Sequence, residues 1–315
     1  MKKISIIVPC YNEEESIPIF YREVVNILKD LPLEYEIIFV DDGSTDQSVS
    51  AMRTLSQKDK NVSYLSFSRN FGKESAMYAG FCNAQGDYVT VMDADLQHPP
   101  ELIPEMIYAI EHEDYDSIAT RRVDRKGEPP IRSWFSRNFY KIINRFSDAN
   151  IVDGACDYRL MKKKMVDAIV AMDEYNRFSK GIFGWVGFKT KWIPFENKER
   201  VAGETKWSFW KLYKYAIDGI ISFTQAPLSL ASTLGNIMTA ISFISLAFII
   251  VRKIVFDDPV AGWASTICVI VFIGGMQLAV LGVIGQYLAK TYLESKGRPH
   301  FIVSESNRED AVKIR

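Results

Sequence analysis

Tyr88-Val89-Thr90-Val91-Met92-Asp93-Ala94-Asp95-Leu96-Gln97 is an apolar run that ends in carboxylate, carboxylate and amide side chains on alternate residues. The run predicts a buried strand. At a strand end, residues two apart share a face, so Asp93, Asp95 and Gln97 can converge on one divalent cation. Three hard oxygen donors suit Mg²⁺ or Mn²⁺, which keep coordination positions open for substrate phosphates. Asp-x-Asp alone equally fits a solvated acidic turn, so the neighbouring segments decide.

The same design recurs upstream. Ile4-Ser5-Ile6-Ile7-Val8 ends in Pro9-Cys10-Tyr11-Asn12-Glu13-Glu14, and Ile37-Ile38-Phe39-Val40 ends in Asp41-Asp42-Gly43-Ser44-Thr45-Asp46. Val62 to Phe67 leads into Ser68-Arg69-Asn70-Phe71-Gly72-Lys73. Between the first two strands, Ile17, Phe20, Val24, Ile27, Leu28 and Leu31 fall at helical spacing, predicting a helix from Ser16 to Leu31. Strand and helix therefore alternate, which predicts an α/β domain with an open, mostly parallel sheet and helices on both faces. Such sheets bind ligands beyond the carboxyl ends of their strands. One cleft should then gather Asp41, Asp42, Asp93 and Asp95 with Lys73.

The last third has a different composition. Ala226 to Val251 and Pro259 to Ala289 carry no charged residue. Each run exceeds the roughly 20 residues that cross a bilayer as a helix, so two transmembrane helices are expected, near 228–252 and 264–288, joined tightly at Phe256-Asp257-Asp258. Before them, Trp207-Ser208-Phe209-Trp210-Lys211-Leu212-Tyr213-Lys214-Tyr215-Ala216-Ile217 alternates aromatics and lysines with aliphatics. That pattern suits an amphipathic helix in the headgroup region. The domain plan is a catalytic domain over 1–200, a loop and interface helix over 201–225, two spans within 226–289, and a tail over 290–315 that is polar and mixed in charge from Glu294 and loosely ordered after Pro299-His300-Phe301.

Bulk properties exclude more than they assign. A net charge of −1 gives no reason to expect nucleic-acid binding. Cys10, Cys82, Cys156 and Cys268 form no Cys-x-x-Cys pair and are expected as free thiols in a reducing compartment. His98, His112 and His300 make no zinc-ligand pattern. Met1-Lys2-Lys3 runs directly into a strand-like segment, so no signal peptide is expected.

Four motifs carry a resemblance to the nucleotide-sugar-dependent family 2 glycosyltransferases of the GT-A, Rossmann-like fold. They are Ile7-Val8-Pro9-Cys10-Tyr11-Asn12-Glu13, Val40 to Asp46, Arg69-Asn70-Phe71-Gly72-Lys73 and Met92 to Pro100. More narrowly, Asp93 to His98, Asp157-Tyr158-Arg159-Leu160-Met161 and Ala202-Gly203-Glu204-Thr205-Lys206 resemble the polyprenyl-phosphate members, which act on bactoprenol or dolichol phosphate. The resemblance covers roughly the first 290 residues. It implies attack by a polyprenyl-phosphate oxygen on the anomeric carbon of a nucleotide sugar, with inversion, for cell-envelope glycan modification. It implies a bacterial inner-membrane enzyme with its catalytic domain and both termini in the cytosol. The partners it implies are a second copy of the chain, a flippase and a downstream glycosyltransferase.

The resemblance also assigns residues. Pro9, Tyr11, Glu13, Asp41 and Asp42 match nucleoside-binding positions, with Asp93 and Ala94 beside the donor. Arg121, Arg132 and Ser136 match acceptor-phosphate positions, with Arg122 or Arg137 as substitutes, and Asp157 matches the catalytic base. On chemistry alone, Asp157 serves equally to orient the acceptor, to stabilise charge on the sugar ring, or to pair with Arg159. Asp95 and Gln97, with Asp93, hold Mg²⁺ or Mn²⁺, which together with Lys73 offsets the leaving diphosphate. Arg200 and Lys206 flank a segment whose Gly203 supplies hinge freedom to close over it. A carboxylate accepting from uracil N3–H favours UDP, with UDP-glucose expected as donor and UDP-N-acetylglucosamine or GDP-mannose as alternatives.

Two other classes share parts of the pattern. A phosphoacceptor receiver domain also carries Asp-Asp at a strand end, but not Asp-x-Asp-x-Gln with two spans. A non-catalytic, membrane-tethered sugar-nucleotide-binding subunit would be expected to lack the metal carboxylates, which are present.

Overall fold

In a computed structural model of the 315-residue chain, the described residues are 1–123, 152, 154–196, 221, 224–256 and 262–315. Apolar alternation produces β1 (Lys3–Cys10), β2 (Glu34–Asp41), β3 (Val62–Phe67) and β4 (Tyr88–Val91). The intervening helices are α1 (Ser16–Leu28), α2 (Ser48–Lys58) and α3 (Lys73–Asn83). After a 3₁₀ turn at Pro100–Leu102 come α4 (Ile103–His112), β5 (Ser117–Arg122), β6 (Ala155–Lys162), α5 (Lys163–Ala171), α6 (Ser179–Trp185) and β7 (Thr190–Phe195). Two long helices follow, α7 (Ala226–Phe256) and α8 (Trp263–Ser295), and then β8 (Val303–Ser306).

The sheet order is β7-β5-β6-β4-β1-β2-β3-β8. β1 pairs in parallel with β2 and β4, β2 with β3, and β5 with β7, while β6 and β8 run against their neighbours. The expected mostly parallel α/β sheet is thus borne out. Because β1 sends the chain to β2 on one side and receives β4 on the other, the strand order reverses between β1 and β4. A crevice opens at the carboxyl ends of strands at such a point.

Period-2 alternation divides the core between the two faces. Ile4, Ile6, Val8, Ile37 and Phe39 pack with α1 and α4, whereas Ile7, Ile38 and Val40 pack with α3, α5 and α6. At Gly80 of α3 a Cβ would lie 2.2 Å from Ile7 Cγ2, so the helix sits directly on the sheet only because this residue lacks one.

Two expectations need correction. β4 stops at Val91, and Asp93 to Gln97 form a turn in which Leu96 adopts φ +56°. Strand alternation therefore does not set the spacing of the three oxygen donors; they stand on a turn anchored by Ala94 and Leu96, both buried in the core. Nor is the tail loose. β8 pairs antiparallel with β3, Phe301 is fully buried and stacks on Phe67 with centroids 5.4 Å apart, and Arg53 binds Glu305 at 2.7 Å. A polar sequence of mixed charge hid a single buried aromatic and an edge strand.

Among the described residues, two helices are long and apolar enough to cross a membrane, Ala226–Val251 and Val269–Ser295. Their apolar windows are 0 % buried within the protein, and Phe243, Ile244 and Leu278 are each about 70 % exposed. A core helix of a soluble domain would be covered. α8 extends past its uncharged part, so that Glu294 accepts from the backbone N–H groups of Tyr175 (3.0 Å) and Asn176 (3.2 Å). Of the expected connection at Phe256-Asp257-Asp258, Asp257 and Asp258 lie outside the described residues, as does the interface segment Trp207 to Ile217.

Removing the Phe301 ring leaves a cavity against Phe67 and Tyr78. Phe301→Ala is expected to destabilise the catalytic domain by about 3 to 5 kcal/mol, read by denaturant unfolding of the full chain in detergent. A loss under about 1 kcal/mol would show that the tail merely rests on the sheet.

Candidate functional site

The loops after β1 and β2 form one stitched platform. Asn12 N–H donates to Ser44 Oγ (2.8 Å), Thr45 N–H to Asn12 Oδ1 (2.9 Å) and Glu13 N–H to Ser48 Oγ (2.8 Å). Asp41 is fully buried and accepts from Ser44 N–H (3.2 Å) and Ser66 Oγ (2.8 Å). Asp42 is also buried, and its Oδ1 accepts from Phe71 N–H (2.6 Å) and Gly72 N–H (3.0 Å). Burial pushes its pKa up to about 6, with Asp41 adding to the rise and the two N–H groups opposing it. Gly43, at φ +71°, lets the loops close, since a Cβ there would stand 2.5 Å from the Arg69 carbonyl carbon. Pro9 and Glu13 are half-buried on this platform and Tyr11 is exposed. Asp41 and Asp42 thus accept from backbone N–H groups and the Ser66 hydroxyl beneath it.

Through Gly72, the residue that caps α3, Asp42 also sets where α3 begins and so where Lys73 stands. Lys73 Nζ lies 2.7 Å from Asp93 Oδ1 and 3.1 Å from Asp157 Oδ2. Burial opposes its charge, but the two acids outweigh burial and hold the ammonium well above the usual lysine range. Burial likewise opposes ionisation of both acids. Lys73 and Lys180 overcome this at Asp157, and Lys73 and His98 do so at Asp93, so both stay below the usual carboxylate range. Asp157 is accordingly paired with Lys73. Its alternative partner, Arg159, instead lies over the Phe183 ring, 3.9 Å from its centroid.

Asp95 is 8 % exposed and Oδ1 accepts from the backbone N–H of Gln97 at 3.2 Å. Among the described residues no group of three or more His, Cys, Asp or Glu side chains could hold a metal ion. Two carboxylates and an amide are still the hard donors that Mg²⁺ or Mn²⁺ takes when other positions go to water and phosphate. The donor chemistry fits, and Lys73 and Lys180 against Asp93, Asp95 and Asp157 leave the cluster net negative.

Arg121 is exposed at the end of β5. Arg132, Ser136, Arg200 and Lys206 lie outside the described residues.

Sequence reasoning missed two neighbours of the cluster. Glu74 accepts from the backbone N–H (3.0 Å) and the hydroxyl of Ser179, tying the first turn of α3 to that of α6. Burial, and then Asp157, raise its pKa to about 7, against the Ser179 donors and Lys73. Its position beside Lys73 was the only signal available, because Ser179 is 105 residues away. His98 is buried, stacks on Tyr158 at 5.3 Å, and its Nδ1 has no hydrogen-bond partner among the described residues. Burial lowers its pKa.

Glu74 gives the fold a pH dependence. Between the ordinary carboxylate range and about 7, the folded chain keeps a proton that the unfolded chain has released, so stability falls as pH rises across that window. Asp42 acts in the same direction up to about 6. Melting temperature should therefore drop from pH 5 to pH 8, and Glu74→Gln should shrink that drop while leaving the value at pH 5 nearly unchanged. An identical decline in the variant would remove Glu74 as its cause.

Residues 5–170 match the family described as Glycosyl transferase family 2. The chain is 40 % identical over 306 residues to the SfII prophage-derived bactoprenol glucosyl transferase of Shigella flexneri, covering 97 % of this chain and 99 % of the relative. It is 40 % identical over 301 residues to a prophage bactoprenol glucosyl transferase homolog of Escherichia coli K12, covering 96 % and 98 %. Among solved structures, a glucosyl-3-phosphoglycerate synthase from Mycobacterium tuberculosis is 16 % identical with a TM-score of 0.48, over 70 % of this chain and 78 % of that one. With a cleft at the strand switch point, four motifs converging on it and relatives aligned over nearly the whole length, the chain belongs to glycosyl transferase family 2 and is a glycosyltransferase.

Proposed function

We propose that this enzyme moves glucose from UDP-glucose to a polyprenyl phosphate at a membrane surface, inverting the anomeric centre. The observation that carries the reading is the Lys73 bridge, which brings Asp93, from the turn after β4, and Asp157, from β6, to one ammonium. Support for the sugar and the lipid comes from relatives named bactoprenol glucosyl transferases.

Pro9, Tyr11 and Glu13 offer the surface for the uracil nucleoside, with Asp41 and Asp42 fixing it from beneath. Asp93, Asp95 and Gln97 would hold Mg²⁺ or Mn²⁺, which would supply positive charge to neutralise the leaving diphosphate. Lys73 sits beside Asp93 to share that task, Ala94 lies beside the donor, and Arg200 and Lys206 close over the diphosphate through the Gly203 hinge. A phosphate monoester has its second pKa near ~6, so the attacking oxygen is mostly deprotonated at neutral pH. Asp157, kept ionised by Lys73 and Lys180, is then better used to orient the acceptor, or to stabilise positive charge growing on the sugar ring, than to remove a proton. Arg121, with Arg132 and Ser136, receives the acceptor phosphate through charge-assisted hydrogen bonds.

The uncovered apolar faces of α7 and α8 support a membrane hairpin. We place it in a bacterial inner membrane with the catalytic domain and both termini cytosolic, where nucleotide sugars are made. The segment from Trp207 to Ile217 lies at the headgroups and holds the cleft near its lipid. A lipid-linked sugar formed there calls for a flippase and a second glycosyltransferase to use it.

The direct test is the full-length enzyme in liposomes with a short polyprenyl phosphate, offered UDP-glucose, UDP-N-acetylglucosamine or GDP-mannose, with the lipid product identified by mass spectrometry. Glucosyl lipid from UDP-glucose is expected, and transfer to water alone would overturn the acceptor. Asp95→Asn should lower turnover by about 100-fold or more with an unchanged melting curve. Full activity of that variant, or of wild type in excess chelator, would remove the metal. Arg121→Ala should raise the KM for polyprenyl phosphate roughly tenfold or more, and that for the donor far less, as loss of a charge-assisted contact of about 1.5 to 3 kcal/mol requires. The reverse ranking would assign Arg121 to the donor diphosphate.

A further inference from the structure

On the face of the sheet that carries Asp157, α6 does not close fully over β6 and β7. A cavity of about 300 Å³ remains, lined by Arg159, Lys180, Phe183, Phe188, Thr190 and Trp192 among others. Arg159 stands two residues along β6 from Asp157, on the same face and roughly 6 to 7 Å deeper. It is only 3 % exposed, and its Nε is buried without an acceptor among the described residues.

A buried guanidinium is costly without a counter-charge. The described residues lining this cavity include no carboxylate. The acid nearest along its own strand, Asp157, is already bound to Lys73. Burial accordingly lowers the Arg159 pKa to about 10, which Asp157 and Cys156 offset only in part. Phe183 lies against the face of the guanidinium at 3.9 Å and Trp192 lies at 5.7 Å, so the aromatic rings satisfy its planar surface but cannot accept hydrogen bonds from its edge.

We infer that this cavity is a second oxyanion site, built to take a phosphate group that carries an apolar substituent, and lying beside the cluster around Lys73, with whose Asp157 it shares Lys180. An arginine fork pairs with phosphate oxygens through parallel N–H donors, and Lys180 adds a second cation on the same wall. The volume exceeds what an oxyanion fills, and Phe183, Phe188 and Trp192 give the remainder an apolar lining. The phosphate comes either from a lipid head or from a free anion; naming the lipid a polyprenyl phosphate rests on the function proposed above, whereas the oxyanion site does not.

The test is calorimetric titration of the full-length protein in detergent, with chelator and no sugar donor, so that its outcome is independent of transfer. The titrants are inorganic phosphate, a short-chain prenyl phosphate and the matching prenyl alcohol. Both anions should bind, and Arg159→Gln should weaken both at least tenfold, with Arg159→Lys recovering part of the loss and the alcohol showing no dependence on Arg159. Prenyl phosphate binding at least tenfold tighter than inorganic phosphate supports the site with the lipid head as source; equal affinities support it with a free anion. Should Arg159→Gln fail to fold, Ala155→Leu fills the cavity while keeping both cations and should produce the same loss. Absence of binding to wild type, unchanged affinity in the folded variants, or an equal loss of both anions in Lys73→Met or in Arg121→Ala with Arg159 intact would overturn the inference.

Discussion

One ammonium group organises the cleft. Lys73 lies between Asp93 and Asp157 at 2.7 and 3.1 Å, joining the start of α3, the turn after β4 and the reversed strand β6. Its side chain is 42 % exposed, and exposed ion pairs contribute about 0 to 1 kcal/mol. The bridge is therefore not what keeps the domain folded. It fixes the relative positions of two carboxylates that would otherwise repel, and it does so from a helix start whose own place depends on Asp42 gripping Phe71 and Gly72. Two buried acids thus support the backbone so that more accessible groups can face substrate.

The second constraint lies at the other end of the chain. α8 leaves its apolar stretch and engages Tyr175 and Asn176 through Glu294, after which Phe301 enters the core and β8 completes the sheet. The catalytic domain is consequently held to the apolar hairpin by packing and hydrogen bonds at the exit of α8. Cutting the chain before α7 would remove more than an anchor, because it would also take the edge strand and the Phe301 ring from the domain left behind.

Much of this was legible in the sequence. The α/β alternation, the polar strand ends and the two uncharged helices all follow from periodicity and composition, which act locally. The parts that were not legible depend on partners far apart in the chain. Pairing of Asp157 with Lys73 rather than Arg159 needs β6 to run antiparallel beside β4, and the Glu74–Ser179 contact needs α6 to pack beside α3. The turn at Leu96 was hidden because an alternating pattern of apolar and polar residues has the same appearance in a strand and in a turn whose apolar residues are anchored in the core. In the tail, one aromatic among charges gave too little signal to outweigh a disordered composition.

The reversal of β6 does more than accommodate a connection. In an all-parallel sheet the next strand beside β4 would bring its carboxyl end to the cleft, and with it only the residues of a loop. Running antiparallel, with Thr90 opposite Leu160, β6 presents its first residues there instead, so Asp157 is held within a strand. Held in this way, an acid next to Lys73 has fewer ways to move than one on a loop, and the residue two positions further on, Arg159, is carried beneath the floor of the same cleft. The direction of one strand therefore sets an acidic rim over a basic interior, which is a charge arrangement suited to receiving a cation and a phosphate at different depths.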